Sequence, residues 1–227
     1  MTPHRIRTAI AVFAALLVVL TAGLTRHALD DNGRTWLDRG VTDWAIAHRD
    51  GVLTPTAVTV SALGGALAMT ALATLVCLGL SWRRRWSEAA LVAIAGLGAW
   101  LLVRGGKSVI GRARPPVEEH LMTVANPSYP SGHSLGSFVV VGIVAVVLIP
   151  HLRRMVLRAL AATFAAIFVA AVGLSRIYLG VHWITDVLGG WCLGALWLLA
   201  CLTVYRYLIR RKTRAPATGL VDNAPLT

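Results

Sequence analysis

The sequence predicts an all-α protein, a bundle of six membrane-spanning helices with an active site on its extracytoplasmic face. Three observations predict it. Of the 227 residues, 56% are hydrophobic and only 14% are charged, far from the composition of a soluble domain. The apolar residues lie in long runs rather than periodic patches. The lysines and arginines gather at alternate ends of those runs.

Six runs carry the spans: Thr8–Leu24, Thr56–Trp82, Ala89–Val103, Leu135–Ile149, Val156–Leu174 and Val187–Leu208. A spanning helix needs roughly 17–25 such residues. The first, second, fifth and sixth qualify outright, and the third and fourth gain a turn or more by extending into their polar flanks. Basic residues ahead of Thr8–Leu24 resemble a secretory leader, but the run exceeds the usual leader length and no small-x-small site follows before Arg26, so an uncleaved first span is expected. Between the first two runs, Trp36, Leu37, Val41, Trp44 and Ala45 share one helical face while Asp38, Arg39 and Asp43 lie off it. That pattern predicts a short amphipathic helix on the outer membrane surface. Residues 1–212 form one six-span domain, and 213–227 read as a polar, disordered cytoplasmic tail.

Charge orients the bundle. With a cytoplasmic N-terminus and alternating spans, the inner face carries thirteen basic residues, including Arg83–Arg85, Arg153, Arg154 and Arg158, against Glu88 and Asp222 alone. The outer face carries nine basic and eight acidic residues. Excess cytoplasmic Lys/Arg is the bias membrane insertion produces. It also accounts for the +12 formal charge through anionic lipid headgroups, without nucleic acid. Cys77, Cys192 and Cys201 lie inside apolar runs and read as small buried hydrophobes. Trp82 and Trp86 bracket the Arg83–Arg85 turn as an aromatic belt does.

Three polar segments then fall on the outer side. In the first, Lys107 and Arg114 are seven apart and would face one anion if the third span continues as far as Pro115 and Pro116. Arg104 and Arg112 are expected to be headgroup or structural charges. In the second, Ser131 is placed to cap the fourth span, so that Gly132, the free amides of the helix start and His133 surround an anion. In the third, His182 and Asp186 are four apart, a spacing that shares one helical face. The carboxylate can hold the proton of one imidazole nitrogen and leave the other free to attack phosphorus, with Arg176 gripping the phosphoryl oxygens. A metal held by His133, His182 and Asp186 is disfavoured, because three neighbouring cations would repel it.

Lys107-x6-Arg114-Pro115, Pro130-Ser131-Gly132-His133 and Ser175-Arg176-x5-His182-x3-Asp186 resemble the three-part signature of the type 2 phosphatidic acid phosphatase (PAP2) family. That family includes membrane lipid phosphatases and soluble vanadium haloperoxidases. The resemblance implies that Lys107, Arg114, Arg176, Ser131 and Gly132 hold phosphate. It implies His182 as nucleophile, Asp186 as its orienting partner and His133 as the proton donor to the leaving group, with no metal or other cofactor. Six spans argue against haloperoxidase activity. The expected substrate is a lipid phosphate in the outer leaflet: a prenyl pyrophosphate, phosphatidate or phosphatidylglycerol phosphate. A phosphotransferase using the same phosphohistidine is the alternative. A non-enzymatic anion channel would carry charges near mid-span, and none of the six runs has one.

Overall fold

The computed structural model describes residues 3–30 and 35–214. Within them every regular element is helical: α1 (Pro3–Asp30), α2 (Trp36–Ala47), α3 (Leu53–Leu63), α4 (Ala66–Trp82), α5 (Trp86–Ile110), α6 (Gly132–Leu148), α7 (Met155–Tyr178) and α8 (Ile184–Arg214), with two short 3-10 turns. Among the described residues five helices, α1 and α5–α8, are long and apolar enough to cross a membrane alone, and there are six spans when the bent α3–α4 pair is counted as one. The tail read as disordered lies outside the described residues beyond Arg214; Thr213 and Arg214 still belong to α8.

α6 sits at the centre, packed against α4, α5, α7 and α8, with α1 along α8 and α3 along α7. Lipid tails are as apolar as leucine, so these helices associate through close packing rather than hydrophobic expulsion. The sequence supplies the small residues that packing requires. Ala89, Val92, Ala95 and Ala99 form the buried stripe of α5, against Leu135, Val139 and Ile143 of α6. Gly98 lets the Trp197 indole of α8 lie directly on α5, where a Cβ would collide with the ring. The opposite face of α5 presents Ile94, Leu97 and Leu101 outward, as lipid contact requires.

The second apolar run, expected as one continuous span, is broken. α3 and α4 meet at 45° across Gly64 and Gly65. Gly64 lies against Val172 of α7 with no room for a side chain, and Gly65 opens α4 in extended backbone beside the His133 ring. The break therefore brings the start of α4 to the level of the polar segments.

α2 forms where amphipathicity predicts it, capped by the Thr35 hydroxyl, which accepts from the Asp38 amide. Trp36 (84% exposed) and Trp44 (63%) face outward, as an interfacial helix requires. Arg39 and Asp43 stay exposed, as the polar side of such a helix should, but Asp38 turns inward with Thr42 and Ala45. The physical reason appears at the site.

The C-terminal ends of α5 and α7 and the N-terminal ends of α6 and α8 converge at one end of the bundle. The Arg83–Arg85 turn and Arg153–Arg154 lie at the other, separated by the 25 residues of α5, roughly 37 Å at 1.5 Å per residue.

Candidate active site

Lys107 and Arg114 do not share a helix as their spacing suggested. α5 ends at Ile110, where Gly111 takes a left-handed conformation (φ 62°), so the chain turns before either proline. Arg114 returns from the loop to meet Lys107 around Asn126. The Asn126 Oδ1 accepts from Lys107 Nζ (3.0 Å) and Arg114 Nη2 (2.7 Å), and its carbonyl accepts from Arg114 Nε (2.7 Å). The Pro127 carbonyl also accepts from Lys107. Asn126 was missed in the sequence; an Asn-Pro step announces a turn but not its cargo.

Ser131 caps α6 as expected, accepting from the Ser134 amide at 3.4 Å. Its own amide donates to the Asp186 carbonyl (3.1 Å), so Ser131 stands behind the cavity wall while Gly132 and His133 line it. The predicted pairing of His182 and Asp186 forms by a different route. α8 starts at Ile184, so His182 lies in the turn ahead of the helix and Asp186 in its first turn. Asp186 Oδ2 accepts from the Trp183 amide (2.9 Å), in the manner of a capping box, and sits 3.3 Å from His182 Nδ1.

The tautomer follows from donors. Arg114 Nη1 lies 3.3 Å from His182 Nε2 and is a donor only, so Nε2 is the acceptor and Nδ1 carries the proton toward Asp186. Burial holds His182 neutral, its pKa pushed down to about 3; Asp186 opposes this, while Arg114 and Arg176 add to it. Burial likewise lowers the pKa of Arg114.

Arg112, expected to be a headgroup or structural charge, is fully buried behind this pair. Its Nη1 donates to Asp186 Oδ1 at 2.6 Å and its Nη2 to Asp38 Oδ2 at 2.7 Å. That explains why Asp38 of α2 turns inward. Arg104 stays exposed, stacked over Trp100. Ser128, also unanticipated, donates its hydroxyl to Asp186 and lies 3.3 Å from His182 Nδ1.

Lys107, Arg114, Gly132, His133, Arg176 and His182 open onto one cavity of about 770 Å³. None of the three cations is ion-paired to a carboxylate among the described residues. Arg176 is buried, donating to Ser61 Oγ and Met122 Sδ, with its Nε lacking a partner. Nor do three His, Cys, Asp or Glu side chains among the described residues cluster as a metal would need. Away from the cations the cavity turns apolar and runs between α4 and α5, past Met69, Ala73 and Leu78 on one side and Val92, Gly96 and Trp100 on the other. Its α4 wall extends from Ala66 to Ser81, roughly 22 Å.

A helical bundle with membrane-spanning helices and a cavity that is cationic at one end and apolar over the remainder defines the class of protein. The PAP2 superfamily model matches residues 88–210, more than half of the chain, and this protein belongs to that family. It is similar to phosphatidylglycerophosphatase B of Bacillus subtilis (strain 168), 30% identical over 176 residues that make up 74% of this chain and 83% of the relative. Its structure resembles the crystal structure of a transmembrane PAP2-type phosphatidylglycerolphosphate phosphatase from Bacillus subtilis, with a TM-score of 0.77 and 27% identity, covering 88% of this chain and 98% of the other. Aquifex aeolicus LpxE, at 19% identity and a TM-score of 0.61 over 75% of this chain and 98% of that one, shares the fold.

Proposed function

We propose that this membrane PAP2 phosphatase hydrolyses the headgroup phosphate of a lipid through a phosphohistidine on His182, without a metal. The observation that carries the reading is the single cavity joining three cations and two histidines to an apolar groove. A lipid entering sideways between α4 and α5 places its tail in the groove and its phosphate among Lys107, Arg114 and Arg176, helped by the Ser131-capped start of α6. His182 Nε2 attacks phosphorus as the bond to the leaving oxygen breaks, and His133 protonates that oxygen. Asp186 keeps the Nδ1 proton and stabilises the imidazolium that forms. Water, deprotonated by His133, then releases inorganic phosphate and restores His182. Fixed cations aimed at the charge that develops perform the work a metal does elsewhere.

Phosphatidylglycerol phosphate heads the substrate candidates because of the activity for which the Bacillus relatives are named. Phosphatidate and prenyl pyrophosphates follow. The test is phosphate release from each by protein purified in detergent, with EDTA present and no acceptor supplied. Release at the undiminished rate, inhibited competitively by vanadate, is expected. Activity lost to EDTA and restored by a divalent ion would overturn metal independence, and release only when an acceptor is added would favour phosphotransfer.

The Lys/Arg bias supports an extracytoplasmic site with both termini in the cytoplasm. With Cys77, Cys192 and Cys201 replaced, a cysteine at exposed Glu118, in the loop between α5 and α6, should react with an impermeant thiol reagent in intact protoplasts. One at exposed Ser87, in the first turn of α5 after Arg83–Arg85, should react only after lysis. Reversed labelling would move the chemistry to the inner leaflet.

A further inference from the structure

Behind the cavity lies a chain of buried charges that the phosphate chemistry does not itself require. Arg112 is 1% exposed, and Asp38 and Asp186 are fully buried. The guanidinium spans the two carboxylates and also donates to Thr185 Oγ1 at 2.7 Å. Thr185 donates its amide (3.1 Å) and hydroxyl (2.9 Å) to Asp38 Oδ1. Asp38 Oδ2 in turn meets Thr35 Oγ1 (3.1 Å) and His27 Nε2 (3.3 Å), so α1 and α2 close the back of the network.

Desolvating three charges is costly, and such networks contribute little to stability beyond what packed hydrophobic side chains would supply. Position is what this one provides. Asp186 Oδ2 serves His182, Ser128 and the Trp183 amide, whereas Oδ1 has Arg112. With Oδ1 held, the carboxylate plane is set and Oδ2 stays turned to His182 Nδ1.

We propose that Arg112, held in place by Asp38 of α2, is a positioning residue that orients Asp186 so that His182 presents an unprotonated Nε2 to the phosphate. This rests on His182 being the nucleophile. Arg112 also shares the charge of Asp186, which would otherwise fall on the imidazole and favour a second proton there. The negative charge of Asp38 acts in the opposite sense, offsetting part of the guanidinium charge that Asp186 feels. The charged groups facing His182 are Lys107 from α5, Arg114 from the following loop, His133 from α6, Arg176 from α7 and Asp186 from α8. Arg112, Asp38 and His27 lie behind Asp186.

The experiment measures kcat and KM against pH for wild type, Arg112→Met, Arg112→Lys and Asp38→Asn, using dioctanoyl phosphatidate in detergent. kcat reports the enzyme–substrate complex, where the negative charge of the bound phosphate raises the pKa of His182. Arg112→Met should lower kcat about 10²-fold, the scale of a misplaced reacting group, with KM within about twofold. Its acid limb should move up by about one pH unit, because losing a cation raises the pKa of His182. Asp38→Asn removes an anion and should move the limb down. Arg112→Lys keeps the charge but not the fork, so its limb should match wild type while kcat stays reduced.

Limbs of Arg112→Met and Asp38→Asn that do not move, or that move together, would overturn the proposal, as would a kcat loss matched by a rise in KM. If Arg112→Met does not survive extraction, Asp38→Asn decides alone: a lowered limb supports the role, and any other position of the limb refutes it. His182→Ala in the same series separates two failures. Activity surviving there removes the nucleophile and Arg112's role with it; an inactive His182→Ala beside unmoved limbs removes only the role of Arg112.

Discussion

His182→Ala should abolish turnover, with the loss on the order of 10⁴-fold or more, because the proposed mechanism makes it the nucleophile and, among the described residues lining the cavity, it alone pairs with a buried carboxylate. His182 makes contacts to Arg114, Ser128 and Asp186 but fills little of the apolar core, so protein yield and melting in detergent should stay near wild type. Rapid acid quench with substrate labelled in its phosphate should trap a phosphoprotein in wild type alone, labile to acid and stable to base as a phosphoramidate is. Label retained by the alanine variant would place the nucleophile elsewhere.

Arg176→Met should lower kcat/KM about 10³-fold, the upper end of the loss of one donor aimed at developing charge. Its consequence for stability should run the other way. Arg176 is buried and lines the cavity with Lys107 and Arg114, and its side-chain partners Ser61 and Met122 are neutral. Removing an uncompensated buried charge costs little and is often stabilising. The empty variant should therefore melt no lower than wild type, while vanadate, which binds the folded pocket, should raise the melting temperature of wild type only. Equal stabilisation of both proteins by vanadate would mean that Arg176 does not hold the anion. Arg176→Lys should recover only part of the activity, since a point charge does not reproduce a planar fork.

Much of this was legible in the linear chain. The spans were, because crossing hydrocarbon demands some twenty apolar residues in a row, and a hydropathy run is a local property. So were Lys107, Arg114, Gly132, His133 and Arg176 as residues of one pocket, and Asp186 as the partner of His182, because short motifs place them at helix ends on one side of the bundle. Asn126 and Arg112 were not. Each derives its role from contacts that a motif does not contain: Asn126 collects two cations from 12 and 19 residues away, and Arg112 pairs with carboxylates 74 residues away in both directions. The break at Gly64–Gly65 was hidden for a related reason. Two glycines inside a greasy run leave its hydropathy unchanged, and only Val172 and His133 packed against them show why the chain bends there.

The direction of α2 marks the division between the two kinds of information. The sequence by itself determined that this helix has an apolar and a polar face, since that follows from a period of 3.6 residues. Which residues turn inward was decided by the tertiary structure: Asp38 and Ala45 do, while Arg39 and Asp43 stay exposed. At a bilayer Trp36 and Trp44 can rest at the lipid boundary, which frees the side that carries Asp38, Thr42 and Ala45 to enter the protein. Asp38 goes inward because Arg112 and Thr185 are already there to receive its charge, and a buried carboxylate is tolerated only where such partners meet it.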